Sequence, residues 1–493
     1  MTVIAWLWLA GFLTIAGLAL RRPAWAASLY FLTYFALPKF WWWGRDSELL
    51  GAWRWNLIAG VILALAIAID LARRGAWRIA LTPGRAFETL APRGPARWIL
   101  ILFAAMAANA ILVHLLLAPE PEIGRPALIY LIKHTGLAVL IWAALRHPGD
   151  QQRFVDSLLA GACYLGVAVV VFGEGEMING RLEHVGPANA REANDLAALL
   201  LAILPLAWGA LFHGRWPRRV FALGTLILTL RMLYLCNSRG TYVSAALAIL
   251  ALVAIMPRDL RKSWIAFATL CVLALGGVAV SNAVWPRIAI PLADPQLADR
   301  SELDPSGSRG DPATRRTQLP EEREPAGHTG SSTLERLGAI PGELADKTSA
   351  SGKRLRFWQA GLAMLRDYPL GSGGHSFLEV RGAPYLAQVG VYVPRSVHNG
   401  YLDEALDWGL QALILRLALC AAIGLMLWRI AHSPSRATRE RLDASAFGAI
   451  LLGLMASSWF GDRLHLEWFY WLAGWTLAAG APLKLGRRET AAP

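Results

Sequence analysis

The chain has 493 residues, of which 55% are hydrophobic and 17% charged, against about 25% charged in ordinary soluble domains. Its 22 Trp exclude a disordered chain, and its four Cys (Cys163, Cys236, Cys271, Cys420) lie inside apolar runs, which excludes a secreted disulfide scaffold and a metal-ligand spacing. The net charge of +13 does not indicate nucleic acid, because the basic residues sit in short loops between apolar runs, as they do around membrane spans.

A spanning helix needs about 20 mostly apolar residues. Candidates fall at roughly 3–20, 24–43, 55–72, 98–118, 126–146, 155–173, 193–213, 219–236, 240–256, 263–282, 408–430, 443–460 and 464–481. The second is the weakest, since Pro38 and Trp41-Trp42-Trp43 also fit an interfacial end. The expected fold is an all-α polytopic integral membrane protein with about 12–13 transmembrane helices. The apolar start Met1–Leu20 has no basic leader region and reads as a span, not a signal peptide.

The basic residues fall in alternating loops: Arg21-Arg22, Arg73 to Arg97, Arg146 and Arg153, Arg215 to Arg219, Arg258 to Lys262, Arg429 to Arg441, and the tail with Lys484, Arg487 and Arg488. The positive-inside rule makes these loops and the C-terminus cytoplasmic. Four segments are then external: 174–192, 237–240, about 283–397, and 461–464. The chain divides into N-terminal spans (1–282), a large external loop between the tenth and eleventh spans (283–397), C-terminal spans (398–481) and a cytoplasmic tail (482–493). Within the loop, 292–353 is rich in Pro, Gly, Ser, Thr and charge and reads as disordered. A tether of this kind would tolerate deletion of about 296–348. Residues 354–397 carry apolar residues at helical spacing and read as an external helix on or dipping into the membrane surface.

Ionisable groups beside spans are costly and usually functional. Arg181 lies in the first external segment, and Asn194 and Asp195 stand at the mouth of the next span, where they also fit a helix cap. Arg239 sits in a turn of about four residues. It is either a snorkelling interfacial Arg or, flanked by Ser238 and Gly240, a guanidinium open to a ligand. A guanidinium binds phosphate through a forked pair of charge-assisted hydrogen bonds. Arg354 and Arg356 begin the external helix, with Trp358 four residues after Arg354. As cations at a helix start they oppose the dipole, which weakens a purely structural reading. Gly371, Gly373 and Gly374 form either a plain turn or a backbone anion nest. His398 precedes a span, and an imidazole suits general-base work near neutral pH. Asn399 fits a helix cap or a support for that imidazole. Glu404 and Asp407 fit a cap, an interface pair or a partner for an external Arg. Lys133, His134, Arg231 and Arg416 fall within spans and need partners.

The order of these pieces resembles the O-antigen ligase and polymerase superfamily of bacterial inner-membrane glycan transferases, over roughly residues 180–460. The matching features are Arg239 in a short external turn, a large external loop, Arg-x3-Trp (Arg354 to Trp358), Pro-Leu-Gly-x-Gly (Pro369 to Gly373), and His-Asn before a span. His398-Asn399 is followed by nine residues and Gly409, which is the spacing of the ligase branch. Ala412 replaces that motif's last Gly, and Val243 stands where the ligase branch has Leu four residues after Arg239.

The resemblance implies a GT-C-like membrane glycosyltransferase of the bacterial inner membrane with its site facing the periplasm. It implies a glycan donor on undecaprenyl diphosphate, a lipid or polysaccharide acceptor, and neither metal nor cofactor. His398 would act as base. Arg239, Arg354, Arg356 and Arg181 would hold the diphosphate, supported by Asn399, Glu404, Trp358, Ser238, Gly371 and Gly373. The His motif favours a ligase; a polymerase of the same superfamily, or transfer to protein, is the alternative. A second alternative is a polysaccharide or lipid transporter, for which Lys133, His134 and Arg231 would be the working groups. Its usual signature of matching broken helices is weak here.

Overall fold

The computed structural model describes residues 2–45, 47–73, 94–145, 147–178, 180–186, 192–212, 214–284, 350–461 and 463–480. The segment expected to be disordered therefore lies outside the described residues up to position 349. So do Arg74 to Arg93, Arg146 and the tail from 481.

Almost all of the described chain is helical. The first helices are α1 (Val3–Ala19), α2 (Ala24–Phe35), α3 (Glu48–Gly51), α4 (Trp55–Arg73), α5 (Pro95–Leu116), α6 (Pro121–Ala144) and α7 (Pro148–Phe172). Two short strands, β1 (Glu176–Ile178) and β2 (Arg181–Glu183), pair antiparallel with Met177 opposite Leu182. Then follow α8 (Ala193–Phe212), α9 (Trp216–Cys236), α10 (Arg239–Ile255) and α11 (Arg258–Val284). After the undescribed segment come α12 (Ala350–Asp367), a π-helical stretch Ser376–Arg381, α13 (Gly382–Gln388), α14 (Gly400–Trp408), α15 (Leu410–His432), α16 (Thr438–Ser457) and α17 (Glu467–Gly480). Proline at the start of α5, α6 and α7 falls where no backbone donor is needed.

Seven of these helices, α4 to α9 and α15, are long and apolar enough to cross a bilayer. The chain is thus an all-α polytopic membrane protein. The second expected span differs from its prediction: α2 stops at Phe35 after 12 residues, about 18 Å at 1.5 Å per residue. Leu37 is held extended ahead of Pro38, as the residue before proline prefers. Trp41 and Trp43 are buried rather than interfacial, with Trp41 Nε1 donating to the Phe35 carbonyl at 3.0 Å.

Helix α8 is buried along most of its length and packs against α9 and α16; α17 packs on α6, and α15 on α5. The basic loops meet at one end of the bundle. There Arg22 pairs with Asp150 at 2.6 Å, Arg218 with Asp156 at 2.8 Å and Arg441 with Asp259 at 2.8 Å. The hairpin, the α9–α10 turn, the start of α14 and the α16–α17 connection meet at the opposite end.

A buried polar cluster anchors α17 to that opposite half. His134 Nδ1 lies 2.7 Å from the Tyr130 carbonyl, so it must donate there. Its Nε2 lies 3.0 Å from Glu467 Oε1, and Glu467 Oε2 accepts from the Tyr30 hydroxyl at 2.7 Å. The His134–Glu467 pair thus joins α6 to α17, and the Tyr30 hydroxyl adds α2. Removing one member of such a pair leaves the other buried without compensation, at a cost of about 3–5 kcal/mol. His134→Ala is expected to lower the unfolding temperature of the detergent-solubilised protein sharply. Tyr30→Phe, which removes one hydrogen bond to that carboxylate, should cost less, about 1.5–3 kcal/mol.

Candidate functional site

Three backbone segments carry the candidate residues, and the connection between α16 and α17 touches all of them. The first is the α9–α10 turn. Asn237 ends α9 in the left-handed conformation, with φ 45°. Ser238 caps α10: its Oγ accepts from the Thr241 amide at 3.4 Å and donates to Asn194 Oδ1 at 2.8 Å. Ser238 is buried, so it fixes the turn rather than opening a path to Arg239. Arg239 is the first residue of α10, where the unpaired amides of a helix start favour an anion. Arg181, on β2, donates to the same Asn194 Oδ1 at 2.5 Å and to the Cys236 carbonyl at 3.3 Å. Its guanidinium braces the turn that carries Arg239, a role different from the diphosphate contact expected of it.

The second segment is α12 with the loop after it. Arg354, Phe357, Trp358 and Gly361 follow one another at helical spacing and share a face. Against that face lies the third segment: the ring of His398 is 6.1 Å from that of Phe357, and Val397 and Leu402 pack over Gly361. Arg354 therefore stands on the face of α12 that receives His398. Arg356 points elsewhere, its guanidinium close to Gly390. Phe357, Ala360, Met364, Phe377, Val397 and Leu406 form a small core of their own, so α12 is clamped by α13 and α14 and does not lie alone on a membrane surface.

His398 has φ 51°, in the left-handed region that few side chains adopt. It is fixed between Val397, fully buried, and Asn399, which caps α14 by accepting from the Tyr401 and Leu402 amides at 3.1 Å each. Of the two roles open to Asn399, the structure gives it the cap.

Glu404 does not face an external arginine. It accepts from Arg416 Nη2 at 3.1 Å and lies 3.4 Å from His465 Nε2, so it ties α14 to α15 and to the last connection. This pairing, with that of His134, places two of the intramembrane ionisable groups in helix packing.

The glycine cluster is not an open nest. The amides of Gly371, Ser372 and Gly373 donate to the Tyr368, Leu406 and Asp407 carbonyls, and those of His375 and Ser376 donate to the Asp407 carboxylate at 3.0 and 3.1 Å. Burial pushes the Asp407 carboxyl up to about 7, and these amides oppose the shift. The loop is thus stitched to the end of α14. Gly371 (φ 89°) and Gly409 (φ 90°) meet back to back, and a Cβ on Gly371 would come within 2.5 Å of the Gly409 nitrogen. Gly371→Ala is expected to destabilise the protein by about 1–3 kcal/mol, read as a lower unfolding temperature.

Sequence alone marks the α16–α17 connection only as an external segment at 461–464. In it, Trp459 lies between Trp358 of α12 (6.5 Å between rings) and Tyr401 of α14 (5.4 Å). Phe460 covers Gly240, where an added Cβ would meet it at 3.2 Å. The Ser458 and Gly461 carbonyls accept from the Gly400 amide at 2.8 and 3.2 Å. Arg463 pairs with Asp195 at the start of α8, beside Asn194. The signal for this hub was an aromatic-glycine-cation run in a short turn, but its partners come from helices far away in sequence.

The segments that carry Arg239, Arg354 and His398 thus border one shared turn at one end of the bundle. No curated protein matches the chain. Residues 224–417 match the family model described as O-Antigen ligase, which supports the resemblance of the motifs and spans the segments that carry Arg239, Arg354 and His398.

Proposed function

We propose that this protein moves a glycan from an undecaprenyl-diphosphate carrier to an acceptor hydroxyl on the periplasmic face of the bacterial inner membrane, in ligase fashion. The observation that carries this reading is the packing of the His398 ring against the α12 face on which Arg354 stands, with Gly400 bound to the turn that covers Gly240.

The chemistry follows from these groups. Diphosphate is a good leaving group and needs its developing charge held rather than strong protonation. Arg239 and Arg354 supply forked donors for that charge. His398 takes the proton of the attacking hydroxyl as that oxygen bonds to the anomeric carbon and the carbon–phosphate oxygen bond breaks. A single displacement inverts the anomeric configuration. Arg356 and Arg181 stand back from this centre, Arg181 as a brace.

The pairing of His134 with Glu467 and of Arg416 with Glu404 counts against a transport role for the intramembrane charges. The test is purified protein with an undecaprenyl-diphosphate glycan and a set of acceptors, without a nucleotide sugar. Transfer of a finished chain to lipid A–core supports the ligase reading. Growth of the lipid-linked chain by repeats supports a polymerase, and absence of any transfer overturns both.

A further inference from the structure

Arg463 is a buried guanidinium in the connection that borders the site, and the proposed chemistry has no use for it. It is 9% exposed, and burial lowers its pKa to about 10, with Arg181 adding to the shift and Glu192 opposing it. A group held in this way serves binding, catalysis or placement. Its Nη1 is engaged by Asp195, which lies in the first turn of α8. The adjacent Asn194 accepts from Arg181 and from Ser238, the cap of the helix that Arg239 begins. On its other side, Arg463 lies two residues past Gly461, whose carbonyl holds the amide of Gly400, two residues past His398. The ion pair therefore joins the half of the site built on α8, β2 and α10 to the half built on α14.

We propose that the Arg463–Asp195 ion pair is a positioning lock that sets the distance between the Arg239 turn and the His398 turn, and that Arg463 does not itself contact the donor. The activity arm of the test rests on the glycosyl-transfer reading; a second arm does not. The full-length protein is compared with Arg463→Ala, Asp195→Ala and the double variant, in a background where Cys163, Cys271 and Cys420 are replaced by Ala. Cys236 is then the one thiol left. It is buried in the same turn, and its carbonyl accepts from Arg181.

The lock predicts that each single change lowers kcat on the order of tenfold to a hundredfold, as a displacement near 1 Å does, with KM for the donor little changed. It predicts that the double variant is no worse than the worse single one, since both remove the same contact. Maleimide labelling of Cys236 should quicken to the same extent in all three. Arg463→Lys should recover most of the kcat and the slow labelling, because a point charge suffices for the pair, and it carries the test if the Ala variants do not fold. The proposal is overturned if the two effects multiply, if KM rises while kcat holds, or if labelling of Cys236 is unmoved. Wild-type protein with no transfer activity would remove the functional reading, while the labelling cycle would still decide the lock.

Discussion

Replacing His398 by Ala is expected to lower glycan transfer by about 10²–10⁴-fold, the range for losing a general base. The substitution also acts on the backbone. His398 sits at φ 51°, and Ala enters the left-handed region less readily than Asn does. A small fall in unfolding temperature is therefore expected for His398→Ala but less for His398→Asn, which keeps the turn and removes the base. Both should lose transfer equally. The measurement is product formed from lipid-linked donor, alongside thermal unfolding of the same preparation. Activity within a few-fold of wild type in either variant would remove His398 from the mechanism. The comparison is His375→Ala. His375 is also in the left-handed region, but its side chain is exposed, and its backbone is engaged, the amide by Asp407 and the carbonyl by the Glu379 amide. Little loss is expected there.

Much of the helical frame was legible from apolar run length, because a lipid-facing or core helix needs little else. The expected span 193–213 is α8, and 408–430 is α15 to within two residues. The sorting of basic loops to one end was legible for the same kind of reason, since charge sidedness is a local property of each loop. What was not legible depends on partners distant in sequence. The glycine loop reads as a run of small residues, but whether its amides face an anion or protein depends on Asp407, more than thirty residues away. Glu404 reads as a candidate for an external arginine until Arg416, three turns further along, takes it. The strands β1 and β2 are three residues each, too short for any alternation to register, yet they place Arg181. Arg463 in the α16–α17 connection and Glu467 at the start of α17 could not be assigned from sequence because Asp195, Tyr30 and His134 lie hundreds of residues back. The motifs that survived translation into geometry were those with a local backbone reason: Ser238 and Asn399 as caps, and Gly409 as the residue that ends α14 at φ 90°.

Arg239→Ala is expected to lower kcat by about 10²–10³-fold, the loss seen when one donor to a developing oxyanion is removed. Arg239→Lys is the sharper experiment. Lys restores the charge at the start of α10, and the helix dipole there favours the same anion in both proteins. If the site needed only positive potential, Lys would restore most of the rate. A diphosphate in transit from ester to leaving group presents paired oxygens, and only the planar fork meets two of them at once. Arg239→Lys is therefore expected to remain closer to Arg239→Ala than to wild type. A donor carrying the same glycan on a lipid monophosphate separates the two explanations. With one phosphate there is less charge to hold, so wild type should lose most of its advantage over the Lys variant on that donor. An equal ratio on both donors would mean that Arg239 acts through the fold of its turn, which Ser238 and Asn194 already fix, and that the diphosphate is held by Arg354 alone.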